Sequence, residues 1–287
     1  MRPLSEQTIL ITGATDGLGR ELAAQVADRG ATVLIHGRDR ERGKDALSEI
    51  RASTGNEKLH YLEADLSSLG ETRELAGQVR ERFDALHALV NNAGIGTTNP
   101  GLGTTGADRN GRLESRDGYE LRFAVNYLAG YVLTRGLIGL LEQSAPSRIV
   151  NVSSAGQAAI DFEDVMLERS YSGVQAYCQS KLAQVCFTFD LAEELSGTDV
   201  TANCLHPASY MPTKMVRAAG VEPVSTLEQG VRATIRLIAD PELEGVSGLY
   251  YNGLEPASPH PQALDRDARR RLRELSERLT SQARSAR

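Results

Sequence analysis

Tyr177 and Lys181 stand four residues apart in a stretch whose pattern predicts a helix from about 176 to 196. Side chains at i and i+4 of a helix lie one above the other on the same face. A phenol beside an ammonium gives up its proton more readily than a free tyrosine, because the positive charge stabilises the phenolate. The spacing therefore predicts an acid–base tyrosine. So short a spacing also arises by chance, and the rest of the chain has to support it.

A second pair has the same spacing and a different local context. Tyr210 and Lys214 are also four residues apart, but Pro212 lies between them and Pro207 lies just before. Proline breaks a helix by removing a hydrogen-bond donor and clashing with the preceding turn. We therefore predict no shared helical face for this second pair.

Composition limits the classes of protein that the chain can belong to. Its 287 residues, 40% hydrophobic and 24% charged, predict a globular protein of one large domain or two small ones. Three cysteines without a CxxC spacing do not form a disulfide framework, which favours a reducing cytoplasm. A net charge of −6 argues against general nucleic-acid binding. The uncharged run at 123–134 is too short to span a bilayer, so we expect no membrane partner, and no pattern predicts a metal site.

The chain begins with the order strand, glycine turn, helix. An apolar run at 8–12 predicts a buried strand, and the sequence TGATDGLG at 12–19 leads into a helix with Leu18, Leu22 and Val26 on one stripe. Glycines let the backbone approach a pyrophosphate, and the N–H groups at the start of the helix receive its charge. The alternative is a purely structural turn. The flanking strand and helix favour a dinucleotide site.

The second strand, at 32–36, ends at Gly37-Arg38-Asp39. In such sites an acid at this point holds the ribose hydroxyls, whereas an arginine accepts a 2′-phosphate. Gly37 offers no acid and Arg38 follows at once, which predicts NADP(H) rather than NAD(H). Asp39 is the argument for NAD(H), and the alternative for Arg38 is a solvated loop charge.

Two further strand ends carry polar residues. Asp65 follows a strand at 58–63, where a carboxylate either binds the adenine amino group or caps the helix that follows Ser67-Ser68; both readings stay open. The strand at 88–90 ends in NNAG at 91–94. Small residues there allow the backbone to pass close to a flat ligand while the amide side chains brace neighbouring strands, although the same sequence also suits an ordinary turn.

Together, TGATDGLG at 12–19, NNAG at 91–94 and YCQSK at 177–181 resemble the short-chain dehydrogenase/reductase family over residues 6 to 255 or so. The segment from Asp161 to Ser172 resembles an insertion in the retinol-dehydrogenase-like members. The resemblance implies one α/β domain over 1–287. Its fold would be a doubly wound (Rossmann) parallel sheet of about seven strands with helices on both faces and one active site at the carboxyl strand ends.

The same resemblance implies the roles of the site residues. Tyr177 would exchange a proton with substrate, Lys181 would support it and bind the nicotinamide ribose, Ser154 would orient the substrate oxygen, and Asn126 would brace a water linked to Lys181. The cofactor would be NADP(H), with NAD(H) the alternative. The implied cofactor-binding residues are Gly13, Thr15, Asp16, Gly17, Leu18, Gly19, Arg38, Asp65, Leu66, Asn92, Ala93, Gly94, Tyr177, Lys181, Pro207 and Thr213.

The implied reaction is reversible hydride transfer between the cofactor and an alcohol/ketone or aldehyde pair, and the retinol-dehydrogenase-like resemblance suggests an apolar substrate. The pocket would be lined by segments 95–118, 155–175 and 208–225. Segment 95–118 is rich in Gly, Thr and Asn, so it is either a pocket rim or a solvated insertion. The alternative from another class is an NADP(H)-binding sensor without turnover, which would be expected to lose its Ser, Tyr or Lys.

Two helices predicted at 119–141 and 176–196 are apolar nearly all round and must be covered on every side. We therefore expect a dimer through these helices. The arginine-rich tail at 262–287 predicts a packed terminal helix, and the alternative is a surface for an anionic partner. The apolar positions of this tail at helical spacing are Leu264, Ala268, Leu272, Leu275 and Leu279.

Overall fold

The structure, a computed structural model, describes residues 2–98 and 111–285, and the side chains of 282–285 are outside the description. A single sheet has the strand order β3-β2-β1-β4-β5-β6-β7-β8. The first seven strands run parallel, and β8 pairs antiparallel with β7. The strands are β1 Thr8–Ile11, β2 Thr32–Gly37, β3 Leu59–Glu63, β4 Ala88–Asn91, β5 Ser147–Val152, β6 Val200–His206, β7 Tyr250–Asn252 and β8 Glu255–Pro256.

Helices cover both faces of this sheet. One apolar cluster joins the sheet to α1, α2 and α7, and a second joins it to α3, α4 and α5. A π-helical turn, Phe123–Leu128, leads directly into α4. The helices are α1 Gly17–Asp28, α2 Arg40–Thr54, α3 Leu69–Arg82, α4 Ala129–Gln143, α5 Gly173–Glu194, α6 Lys214–Ala218, α7 Leu227–Ala239 and α8 Arg266–Ser285.

The predicted fold class is confirmed, with one strand more than expected. The additional strand, β8, has two residues and includes Pro256. A strand of that length shows no alternation of apolar and polar residues, so the sequence gives no sign of it. The stripe of Leu18, Leu22 and Val26 is buried against the sheet as predicted.

Described residues of the segment predicted as a loop at 95–118 contact neighbouring elements. Residues 111–118 belong to a short hairpin in which Glu114 bridges Glu120, and Arg116 forms ion pairs with Asp65 and Glu71. The backbone N–H of Leu69 donates to Asp117 at 2.7 Å. This part of the segment therefore packs on the corner between β3 and α3, and residues 99–110 lie outside the described residues.

The expectation that the uncharged run at 123–134 is too short to span a bilayer is wrong on length and composition, because it continues as one helical run, Phe123–Gln143, that is long and apolar enough. In the fold, 67% of its most apolar window is buried. Its buried Thr134 accepts a hydrogen bond from Asn91 of β4 at 3.0 Å, so this face of the helix packs on the sheet. The composition of this run is accounted for by its place in the core.

The predicted terminal helix is present as α8, and it lies on the face that we expected to form a dimer. The hydroxyls of Tyr127 and Ser276 are 2.6 Å apart, and Tyr119 Oη donates to the carbonyl of Leu279 at 2.7 Å. The Leu272 side chain is 1% exposed, whereas Leu264 is 60% exposed. The prediction that Leu264 belongs to the apolar stripe is wrong, because α8 begins at Arg266 and Leu264 lies before it.

Candidate active site

The glycine turn between β1 and α1 is shaped by close approach to the end of β4. Gly13 has φ +64°, and a Cβ added there would lie 2.9 Å from the Cα of Ala93. A Cβ at Gly19 would lie 2.4 Å from the carbonyl oxygen of Gly13. Only glycine fits these contacts. The predicted residues Gly13, Gly17, Gly19 and Ala93 are thus brought together at one strand end.

Polar side chains hold this turn; Asn92 is a predicted site residue, whereas Thr12 and His36 are not. Thr12 Oγ1 accepts hydrogen bonds from the N–H groups of Asn92 and Ala93 at 2.9 and 3.0 Å. Asn92 Nδ2 donates to the carbonyl of Thr12 at 2.8 Å, which fulfils the predicted bracing role of these amides. Burial lowers the pKa of His36 to about 4, so the ring is neutral, and its Nδ1 accepts from Gly13 N–H at 3.2 Å. The turn is therefore fixed by three strand ends.

Asp16 caps α1 and collects two cations beside the turn. Its carboxylate accepts from Gly17 N–H at 2.8 Å and pairs with Lys214 at 2.8 Å and Arg42 at 3.1 Å. Burial acts to raise the pKa of Asp16, but these bonds and charges outweigh it and hold the pKa below its usual value. Thr213 also caps α6 and lies against Gly17. The α6 segment is thus tied to the dinucleotide loop.

The residues after β2 and β3 bear on cofactor choice. Arg38 is exposed, and within residues 2–98 and 111–285 it makes no hydrogen bond or ion pair. Asp39 caps α2 by accepting from Arg42 N–H at 3.1 Å. Asp65 accepts from Ser67 N–H at 2.9 Å, and the helix cap of α3 is Ser68 rather than Asp65. The carboxylate of Asp39 is therefore committed to a helix end, while Arg38 faces solvent.

Tyr177 and Lys181 lie on α5, as predicted, and the rival pair at 210 and 214 does not share a helix, because α6 begins only at Lys214. Lys181 is 4% exposed, and its ammonium donates to the carbonyl of Val152 and to Gln184 Oε1, both at 2.9 Å. The Tyr177 ring centroid lies 5.8 Å from Lys181 Nζ. The two side chains therefore share a helix face and a site.

The electrostatics of this pair differ from the expectation. Burial raises the pKa of Tyr177, a hydrogen bond with Ser154 acting in the opposite direction. Burial also lowers the pKa of Lys181 to about 7. A low-dielectric site disfavours the charged form of each group. In this protein Tyr177 is therefore held protonated, which is the form that a proton donor needs.

Ser154 and Asn126 converge on the same place from other elements. Ser154 follows β5 and is 8% exposed; its carbonyl accepts from Tyr250 Oη at 3.1 Å and from Gln157 Nε2 at 2.9 Å. Asn126 lies in the π-helical turn, which commonly marks a functional site. Its Nδ2 donates to Ser180 Oγ at 2.9 Å, one residue before Lys181. Neither Tyr250 nor Gln157 stands in a motif that the sequence reveals.

The remaining predicted residues take three kinds of position. A Cβ at Gly94 would lie 3.5 Å from Lys181 Nζ and 3.3 Å from Asn126 Oδ1, which joins the NNAG turn to the acid–base pair. Leu18 and Leu66 are core side chains, so they offer a ligand mainly their backbone. Pro207 is buried after β6, and Thr15 is half-buried in the glycine turn.

A doubly wound sheet with a glycine cradle at the start of α1 and a serine, a tyrosine and a lysine at the carboxyl strand ends defines a dinucleotide-dependent oxidoreductase. The model of the short chain dehydrogenase family matches residues 7–222. The chain belongs to the short-chain dehydrogenase/reductase family.

Similar proteins and structures place the chain within this family. Human (Homo sapiens) retinol dehydrogenase 13 is 35% identical over 291 residues, covering 95% of this chain and 84% of that protein. Human retinol dehydrogenase 14 is 36% identical over 299 residues, covering 94% and 85%. The chain is therefore retinol-dehydrogenase-like, as the segment before Tyr177 suggested.

Two solved structures share the fold. A protein from Mycobacterium paratuberculosis matches with a TM-score of 0.77 and 28% identity, covering 98% of this chain and 96% of that chain. A short chain dehydrogenase from Escherichia coli CFT073, solved in complex with NADPH, matches with a TM-score of 0.69 and 25% identity, covering 87% and 97%.

Proposed function

We propose that the protein catalyses reversible hydride transfer between NADP(H) and an alcohol/ketone or aldehyde pair. The observation that carries the proposal is the convergence of Ser154, Tyr177, Lys181 and Asn126 beside the glycine cradle. The bound nicotinamide would supply or accept the hydride. The protein supplies position, charge and a proton.

Each side chain has a distinct part in the proposed reaction. Tyr177 Oη donates its proton to the carbonyl oxygen during reduction and takes it back during oxidation. Ser154 Oγ hydrogen-bonds the same oxygen and stabilises its developing charge. Lys181 holds the cofactor ribose and passes protons toward solvent through a water braced by Asn126. Burial raises the pKa of Tyr177, so the hydroxyl carries the proton that the reduction step uses.

Panel assays with the purified protein test this function. We expect NADPH oxidation, followed at 340 nm, with at least one class of aldehyde or ketone from a panel that varies chain length and ring content. Tight NADPH binding with no turnover over the whole panel would favour the alternative, a sensor on the same fold.

NADP(H) is the proposed cofactor because Arg38 stands exposed at the end of β2, where a 2′-phosphate would lie, while Asp39 caps α2. One structural relative carries NADPH, which agrees. Thr15, Asp65 and Leu66 would surround the adenosine, and Pro207 and Thr213 the nicotinamide side.

Replacing Arg38 by Ala should weaken NADPH binding by about 10–100-fold, because a charge-assisted hydrogen bond contributes about 1.5–3 kcal/mol. NADH binding should stay within about twofold, since NADH carries no 2′-phosphate. Calorimetric titration with each nucleotide measures both. Arg40→Ala, at an exposed arginine at the start of α2, is the matched control. An equal loss for NADH and NADPH would contradict the 2′-phosphate role.

An apolar substrate agrees with the composition of the segments predicted to line the pocket. Large apolar side chains are exposed in the segments predicted to line the pocket, at 155–175 and 208–225: Val174 at 58%, Tyr210 at 54% and Val224 at 71%. Relatives named retinol dehydrogenase agree with an apolar alcohol or aldehyde. A preference for long-chain or ring-bearing carbonyls in the panel is the corresponding result.

We also propose a cytoplasmic location, in keeping with three free cysteines, and no nucleic-acid or membrane partner. The dimer through the helices at 119–141 and 176–196 stays a prediction. Any such dimer has to accommodate α8, which packs on that face.

A further inference from the structure

A buried charged cluster lies beside the proposed site and takes no part in the chemistry described so far. Glu120 is 0% exposed and Arg122 is 1% exposed, with a carboxylate oxygen 3.5 Å from a guanidinium nitrogen. Tyr171 Oη accepts from Arg122 at 2.5 Å and donates to Glu120 at 3.2 Å. The second carboxylate oxygen of Glu120 accepts from Phe123 N–H at 2.7 Å. The three side chains are therefore joined to one another by hydrogen bonds.

This cluster holds the segment that follows the NNAG turn. Arg122 Nε donates to the carbonyl of Gly96 at 2.7 Å, and a terminal nitrogen donates to the carbonyl of Thr97 at 3.1 Å. One turn further along the helix, Asn126 exchanges two hydrogen bonds with the backbone of Ile95 at 2.7 and 3.1 Å. Two side chains of one helix thus grip three consecutive residues of the pocket rim.

The same cluster reaches the start of the helix that bears Tyr177. Tyr171 lies just before α5, and a Cβ added at Gly173 would meet the carbonyl oxygen of Thr97 at 2.3 Å. Met215, which lies in α6 and in the predicted pocket segment 208–225, packs against Gly96. Three segments that would line the substrate pocket therefore meet at the backbone that Arg122 holds.

Burying an ion pair is costly, and well-packed apolar side chains often serve stability equally well. Unlike apolar side chains, a guanidinium donates several hydrogen bonds in one fixed geometry. We infer that Glu120, Arg122 and Tyr171 are positioning residues for the proposed carbonyl chemistry, fixing the rim at 95–97 against α5 so that substrate meets Tyr177 at the right distance. This inference rests on the proposed function.

Tyr171→Phe is the variant that tests the cluster. It removes one hydroxyl and leaves the Glu120–Arg122 pair, so the fold should persist. We expect kcat for carbonyl reduction to fall about tenfold, because small misplacements of reacting groups slow catalysis strongly. NADPH affinity should stay within about twofold, and amide hydrogen exchange at 95–98 and 171–176 should rise.

Tyr119→Phe is the matched control. It also removes one tyrosine hydroxyl, but this hydroxyl donates to the backbone carbonyl of Leu279 in α8. The control should leave kcat and rim exchange unchanged. An unchanged kcat in Tyr171→Phe, or an equal fall in both variants, would overturn the inference.

A second variant separates loss of positioning from loss of folding. The pair Glu120→Gln with Arg122→Met removes both charges together, so no lone buried charge remains. It should fold, bind NADPH and lower kcat at least as much as Tyr171→Phe; a folded double variant with full kcat would refute the positioning role. If the wild-type protein turns over no carbonyl, the proposed function fails. The exchange measurements still decide whether the cluster fixes the rim, because they need no substrate, and unchanged exchange would refute that too.

Discussion

Tyr177→Phe should lower kcat for carbonyl reduction by roughly 10³-fold, the range that a general acid contributes. The substitution removes only the hydroxyl and keeps the ring, so the packing of α5 is preserved. NADPH affinity should stay within a few-fold, because the glycine cradle and Lys181 are intact. Steady-state turnover with the best carbonyl of the panel and a fluorescence titration with NADPH measure the two quantities separately.

The dependence of the rate on pH is a second test of the Tyr177→Phe variant. Burial raises the pKa of Tyr177 above the usual value near 10, so the fall in rate caused by loss of its own proton should occur only in strongly alkaline buffer. The residual activity of Tyr177→Phe should lack that alkaline fall. Tyr250→Phe is the control that removes a neighbouring hydroxyl without removing the proton donor. Full activity of Tyr177→Phe would refute the assignment.

The parts of the site that sequence predicted are those set by local geometry. A helix places Tyr177 above Lys181 whatever its surroundings, and a strand followed by Gly13 and Gly19 needs a tight turn. The apolar stripe of α8 follows from the same periodicity. Each of these depends on residues close together in the chain.

The parts that sequence could not predict depend on residues far apart in the chain. Asp16 meets Lys214 only because β1 and β6 end at the same edge of the sheet. The polarity of Arg122 suggests solvent, yet the fold buries it against Gly96 and Tyr171. The raised pKa of Tyr177 likewise comes from burial by several elements. Spacing along the chain carries no information on such contacts.

The remaining prediction concerns α8, which sequence placed as a helix without saying what it covers. Its Leu272 is 1% exposed and packs into the core cluster that contains Tyr127 and Phe187, and Arg273 pairs with Asp190 of α5 at 2.8 Å. Leu272→Asp should detach the helix, because a buried leucine contributes about 1.5–3 kcal/mol and an unpaired buried carboxylate is more costly still. We expect the melting temperature to fall by roughly 5–10 °C.

Detachment should also change how the chain associates. The aromatic side chains under α8 would become an exposed apolar patch, which favours association with a second copy. Light scattering should then show a larger mass for Leu272→Asp than for Ser281→Asp, which places the same residue at an exposed position of the helix. A wild-type dimer that Leu272→Asp converts to a monomer would instead make α8 itself the dimer contact. Identical melting temperatures for the two variants would show that α8 adds nothing to the core it covers.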